Sequence, residues 1–315
     1  SVIWMASPMW SRRKWIQHKN SEKRKGKKQE TKMKIKELLS WGERTLVEKG
    51  KESAKNDALI LLSFLMNVNR AKLFMNYESE APEFLVENYQ RVIKERGSGI
   101  PLQHITGITE FMGLPFKVTP DVLIPRHETE LLVEEALKII SPNTKVLELC
   151  TGSGCIALSI LKLYDSVSVT AADISEGAVF VAKENAKHLG IPIGTAPGKV
   201  EFIMGDLFEP VKGTYDLIIV NPPYIKSGDI KDLMPEVRDH DPMIALDGGP
   251  DGLYFYRRLL HEAKDYMNEE GYLLMEIGQD QAKDVLELAE ANYTAIKVTQ
   301  DYSNRDRIVL LQKKE

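Results

Sequence analysis

Cysteine is scarce: Cys150 and Cys155 are the only two in 315 residues, and their close spacing suits neither a disulfide framework nor a zinc-ligand set. A reducing compartment is the expectation. The six histidines show no metal-ligand spacing, so no metal is expected. No apolar run approaches the ~20 residues that a membrane-spanning helix needs, which removes a membrane from the expected partners. The first ten residues are apolar but precede a basic cluster, the reverse of a secretory signal's order, and the expected location is cytoplasmic. The chain also lacks an internal repeat.

What is present is ordinary in bulk. With 43% hydrophobic and 28% charged residues, the composition is that of a globular protein, long enough for two domains. The formal charge of −4 conceals an asymmetry: residues 12 to 36 carry 12 Lys or Arg against 2 Glu, leaving 30 basic against 44 acidic residues elsewhere. A body that acidic is poorly suited to following a phosphate backbone, whose binding rests on Lys and Arg contacts. Nucleic acid is therefore not expected as the direct substrate.

Residues 1–32 lack apolar periodicity and read as a disordered basic arm or an appended extension, with Met33 a candidate start. Over 33–97 apolar residues recur at helical spacing and predict a small all-helical domain. From 98 to 126, short extended runs broken by Gly and Pro predict a hairpin or extended connector. His127-Glu-Thr-Glu then opens a helix expected to run to about Ile140, with acids in its first turn. From there to 315, strands at 145–149, 168–172, 200–204 and 215–220 alternate with helices at 154–163 and 175–189. After a loop at 221–251 come a helix near 252–267, a strand at 271–276, a helix at 281–290, and strands near 294–299 and 307–312. Continuous apolar strands alternating with helices predict an α/β fold: a Rossmann-like, seven-stranded mixed sheet whose last strand is antiparallel.

Three segments at the predicted carboxyl edge of that sheet carry chemistry. The run Val146-Leu-Glu-Leu-Cys150-Thr151-Gly152-Ser153-Gly154 is a strand followed by a Gly-containing turn that opens a helix, where a ligand can approach bare backbone. Asp173, 19 residues after Gly154 at the end of the next strand, is placed to hold a ribose. Both NAD and S-adenosylmethionine carry an adenosine, so this pair alone leaves the cofactor open. Asp206 follows the third strand and can accept from an adenine amino group, or simply cap a helix; Leu207 and Phe208 wall the pocket or belong to the core.

The discriminating segment is Asp216-Leu-Ile-Ile-Val-Asn221-Pro222-Pro223-Tyr224. An amide nitrogen is a poor nucleophile because its lone pair is delocalised into the carbonyl. Two acceptors fixed on the NH2 hydrogens can hold that nitrogen and favour pyramidalisation as a methyl group approaches. The Asn221 side-chain oxygen and the Pro222 carbonyl are the natural pair. Proline fixes φ and offers no donor, so the turn is stiff and rich in acceptors. Tyr224 supplies a flat face for a planar group. Alignment alone can contribute roughly 7 to 11 kcal/mol, and since the leaving thioether is neutral, neither metal nor strong base is obligatory. A dehydrogenase has no use for such a turn, which favours S-adenosylmethionine.

At these residues the sequence resembles the PrmC/HemK family of N5-glutamine methyltransferases, which act on the Gln of the Gly-Gly-Gln motif in class-one peptide chain release factors. The resemblance spans roughly residues 34 to 312. It includes Pro101-Leu-Gln-His-Ile-Thr-Gly, Leu123-Ile-Pro-Arg-His-Glu-Thr-Glu, the Gly loop, Asn-Pro-Pro-Tyr, Ala245-Leu-Asp-Gly-Gly-Pro-Asp-Gly-Leu and the closing 301–307 segment. Asn-Pro-Pro-Tyr by itself also admits DNA adenine methyltransferases. The resemblance implies that the helical domain helps to recognise the release factor and that Cys150 to Gly154, Asp173, Asp206, Leu207 and Asn221 meet the cofactor. It further implies that Asn221, Pro222, Pro223 and Tyr224 hold the glutamine, with Asn221, Pro222 and Tyr224 catalytic. Two departures stand out: Cys150 replaces a usual Gly, so its backbone has φ < 0 or bears strain, and His127 replaces a usual Pro. The competing readings are a nucleic-acid amino methyltransferase and a noncatalytic adenosine-binding module.

Overall fold

A computed structural model describes residues 33–314; the expectations for residues 1–32 lie outside the described residues. The chain divides into two compact units at 106/107.

In the first unit, helices α1 (Ile35–Glu48), α2 (Ala54–Met66), α3 (Arg70–Met75) and α4 (Glu83–Gly97) are followed by a short α5 (Leu102–Thr106). Ile35, Leu38, Gly42 and Leu46 recur every three or four residues and make one buried stripe on α1. Gly42 is required where it stands: a Cβ there would lie 2.2 Å from the Tyr89 hydroxyl oxygen, which donates to the Ala58 carbonyl at 2.9 Å. A buried Arg96–Asp57 ion pair at 2.7 Å ties α4 to α2. The helical turn at 102–106 falls where extended chain was expected; Leu102 and Ile105 pack on this unit's core, and that burial favours helix over the local Gly and Pro punctuation.

The second unit opens with the hairpin β1 (Ile108–Phe111) and β2 (Leu114–Lys117). Its two turn residues, Met112 and Gly113, both have positive φ, the twist that a two-residue hairpin requires. Helix α6 (Glu130–Leu137) follows a single 3₁₀ turn at His127–Thr129 and stops three residues short of Ile140. Seven strands then form one sheet: β3 (Lys145–Leu149), β4 (Ser168–Asp173), β5 (Val200–Met204), β6 (Tyr215–Val220), β7 (Met267–Glu276), β8 (Tyr293–Gln300) and β9 (Asp306–Lys313). Their order is β5-β4-β3-β6-β7-β9-β8. The first five strands in sequence are parallel, and β9 runs antiparallel to both neighbours, as expected of the closing pair.

Alternation along β3 shows how both faces are filled. Val146 joins the apolar layer beneath α6, α7 (Cys155–Leu163) and α8 (Glu176–Leu189), whereas Leu147 and Leu149 join the layer beneath α10 (Tyr254–Glu262) and α11 (Ala282–Ala289). The four-residue α9 is Pro235–Arg238. The expected helix over 252–267 ends at Glu262 and tightens into a 3₁₀ turn at Ala263–Tyr266; β7 begins earlier than expected, at Met267, with a register shift against β6.

The order of strands places the site. The chain runs β3, β4, β5 in one direction and returns with β6 on the other side of β3, so β3 and β6 flank the topological switch point. Leu149 lies level with both Ala172 and Val220, which brings the turns after β3, β4 and β6 to one edge of the sheet.

Candidate active site

At that edge is a cleft of about 290 Å³. Cys150, Thr151, Gly152, Ser153, Asp173, Asp206, Leu207, Asn221 and Pro223 line it; Gly154, Pro222 and Tyr224 are not among the lining residues. Phe208 is fully buried and stacks on Tyr266, with ring centroids 4.8 Å apart, which makes it core.

The Gly loop takes its shape from left-handed residues. Gly152 has φ 54°, Gly154 φ 78°, and Cys150 itself φ 57°, so the strained alternative holds at Cys150. Nothing stands within 4 Å of where a Gly152 Cβ would be, and the backbone there is open to a ligand. Gly154 instead lies close to Ala182, 3.1 Å from its hypothetical Cβ, where helix α8 packs. A non-glycine residue at positive φ costs of order 1–3 kcal/mol. Cys150→Gly is therefore expected to raise unfolding free energy by about 1 kcal/mol and to tighten cofactor binding, as read by thermal melts and calorimetry; unchanged values for both would refute strain at this position.

Two buried groups that sequence reasoning passed over hold the loop. Glu148, on β3 and fully buried, accepts at Oε2 from the Thr151 hydroxyl at 2.6 Å and from the Ala157 amide at 3.2 Å. Asn185 donates to the Ser153 carbonyl at 2.9 Å and exchanges hydrogen bonds with the Lys117 backbone, so hairpin, α8 and Gly loop form one frame. Burial pushes the Glu148 carboxyl up to about 8, against the pull of those hydrogen bonds. A carboxyl raised in the fold lends stability fully below its unfolded value near 4.5 and loses it as pH climbs to about 8. Its contribution thus falls by up to about 1.4 kcal/mol per pH unit in that window. Glu148→Gln should flatten that decline in denaturant titrations between pH 5 and 8; an unaltered slope would show that the carboxyl does not titrate there.

Asp173 spans the gap between two turns, accepting from Gly152 N at 2.8 Å and Ser175 N at 2.9 Å. Desolvation raises its pKa against those bonds. Asp206 receives Arg258 Nη1 at 3.1 and 2.8 Å, one to each oxygen. Arg258 also lies 5.9 Å from the centre of the Tyr254 ring, one helical turn earlier on α10. Both line the cleft. Their i, i+4 spacing was visible in the sequence, but nothing local tied it to Asp206. Arg126, bound to the buried Asp241 at 2.6 Å, lines the same cleft, while His127 is exposed and outside it.

At the Asn-Pro-Pro-Tyr turn, Asn221 Nδ2 donates to the Thr129 hydroxyl at 3.2 Å. The Tyr224 carbonyl accepts from Gln281 Nε2 at 3.1 Å, and the Tyr224 hydroxyl donates to Glu276 Oε1 at 3.3 Å. Two of the three glycines in the 245–253 run are required by this turn: a Cβ at Gly248 would stand 2.7 Å from the Tyr224 Cα, and one at Gly252 2.6 Å from the Tyr224 carbonyl oxygen. No side chain larger than hydrogen fits against this turn.

Residues 37–107 match the PrmC N-terminal domain family, and residues 127–237 the methyltransferase small domain. The release factor glutamine methyltransferase of Geobacter sulfurreducens is 39% identical over 277 residues, covering 87% of this chain and 95% of that protein. The chain belongs to the release factor glutamine methyltransferase family. A second member, from Clostridium acetobutylicum, is 39% identical over 284 residues, 88% of this chain and 98% of its own length. Among solved structures, a methyltransferase from Pyrococcus furiosus superposes with a TM-score of 0.50 at 19% identity, covering 64% of this chain and 90% of that one, a likeness of fold. Among the described residues no helix is long and apolar enough to cross a membrane, and no His, Cys, Asp or Glu cluster could hold a metal ion.

Proposed function

We propose that this enzyme transfers a methyl group from S-adenosylmethionine to the side-chain nitrogen, N5, of the glutamine in the Gly-Gly-Gln motif of class-one release factors, in the cytoplasm, with no nucleic acid as direct substrate. The observation that carries this reading is the setting of Asn221. Its Nδ2 donates to Thr129, which leaves the carboxamide oxygen to serve as an acceptor on a side chain that lines the cleft. An acceptor there suits a substrate that arrives as a donor, which an amide NH2 is.

The residues present fit the cofactor. Bare backbone at Gly152, a carboxylate at Asp173 and the Asp206–Arg258 pair with the Tyr254 ring lie along one cleft, suited in turn to a close main-chain approach, ribose hydroxyls and a purine. When bound, the sulfonium supplies an electrophilic methyl and leaves as a neutral thioether. The chain's own part is alignment: Asn221 Oδ1 accepts from the amide NH2 and holds the nitrogen lone pair toward the incoming carbon. Pro222 and Pro223 keep that grip stiff, and the backbone of Tyr224 is clamped from behind by Gln281 and Gly252.

The test is methyl transfer from labelled S-adenosylmethionine to purified full-length release factor and, separately, to duplex DNA. Label on the release factor supports the reading. Label on DNA alone would replace it with a nucleic-acid amino methyltransferase, and binding of the cofactor without transfer to either would leave only an adenosine-binding module.

A further inference from the structure

Asp173 and Asp206 both line the cleft, but they are held in different ways. Asp173 is fixed by its own neighbourhood, through the Gly152 and Ser175 backbone amides. Asp206 has no such amides. It stands two residues past β5 with its side chain 40% exposed. Among the described residues, its carboxylate accepts hydrogen bonds only from Arg258 Nη1, at 3.1 Å to Oδ1 and 2.8 Å to Oδ2. A carboxylate that exposed, on a turn, samples several rotamers unless a partner selects one.

Arg258 comes from α10, 52 residues further along the chain, and is itself held in place. Its Nε lies 3.4 Å from Glu262 Oε1, and its guanidinium 5.9 Å from the centre of the Tyr254 ring, one helical turn away on either side. Tyr254, Arg258 and Asp206 all line the cleft.

An ionised carboxylate only accepts, with two lone pairs on each oxygen. Nη1 bridges the two oxygens and takes one pair from each, which leaves one on each for a ligand. Adenine offers an amino donor at its six position; hypoxanthine has a carbonyl oxygen there, an acceptor set against acceptors. A carboxylate held still discriminates between the two bases, whereas one free to swing away does not. We propose that Arg258 is a positioning residue that fixes the Asp206 carboxylate as the acceptor for the adenine amino group, and so sets the preference of the site for adenine over a base without that group. This rests on the placing of the purine at Asp206 under the proposed function.

The experiment measures Kd by calorimetry for S-adenosylhomocysteine and for S-inosylhomocysteine, in which hypoxanthine replaces adenine. It uses the whole enzyme without release factor, so the outcome does not depend on the methyl acceptor. The parent should prefer the adenine ligand by about tenfold or more. Arg258→Met should weaken S-adenosylhomocysteine by about tenfold and leave S-inosylhomocysteine within about threefold of its parental value, so that the preference collapses. Asp206→Ala should do the same, and the double variant should be no worse than the poorer single one, since the two side chains act as one device. Equal weakening of both ligands by Arg258→Met would reduce Arg258 to a structural role, and losses that multiply in the double variant would mean that it acts without Asp206; either result overturns the inference. Should Arg258→Met fail to fold, Arg258→Ala is read by the same criterion. S-adenosylhomocysteine bound at parental affinity by Asp206→Ala would sink the placing of adenine itself, whereas a weakened Asp206→Ala beside a parental Arg258→Met would sink this inference alone.

Discussion

Asn221→Ala should cost at least about 10²- to 10³-fold in kcat, the scale on which a single preoriented polar partner of a reacting group is felt, while the cofactor still binds. The asymmetry follows from position. Asn221 directly follows β6, where its carboxamide is held by Thr129 from one side and the residue lines the cleft. Alanine removes the acceptor and leaves the Gly loop, Asp173 and Asp206 untouched. Single-turnover rates with saturating cofactor, beside a calorimetric Kd, separate the two effects. Parallel loss of both would mean that Asn221 serves the cofactor rather than the amide.

Asp173→Ala should do the reverse. Each hydrogen bond between a carboxylate and a ribose hydroxyl is worth about 1.5–3 kcal/mol where one partner is charged, and two such bonds make a loss of about 10²-fold or more in cofactor affinity. The substitution also frees the Gly152 and Ser175 amides that Asp173 now holds, which loosens the loop and adds to the loss. Turnover measured at cofactor concentrations high enough to fill the weakened site should recover most of its parental value. A Kd within about threefold of the parent would show that the ribose lies elsewhere.

These two residues were legible in the sequence because Asp173 ends one apolar strand and Asn221 directly follows another, and the rule that ligands gather at the carboxyl edge of such sheets needs no more than strand order. The fold was legible for a similar reason. Parallel strands buried on both faces write themselves as unbroken apolar runs, as in Leu217 to Val220, and helices between them announce the crossovers. Where local signals were weak the boundaries moved. The 102–106 turn became helix through packing of Leu102 and Ile105, and β7 reached back to Met267 through a register shift against β6.

The supporting groups were not legible, and the cause is common to them. Glu148 looks like any residue inside a strand until Thr151 and Ala157 are folded over it. Thr129 precedes a helix 92 residues away from Asn221, and Glu276 lies 52 residues from Tyr224. Such contacts depend on which strand lies beside which, and a periodicity carries no record of that. Cys150 stood out in the sequence as a departure from the Gly usual in the family it resembles, and its φ of 57° shows that the turn's geometry prevailed over the side chain's preference.

The most direct measurement is tandem mass spectrometry of a full-length release factor after incubation with this enzyme and S-adenosylmethionine. The account predicts one added methyl group, on the side-chain nitrogen of the Gly-Gly-Gln glutamine, which disappears with Asn221→Ala. A methyl found on any other residue of the release factor, or on the same glutamine at an undiminished rate with Asn221→Ala, would contradict it.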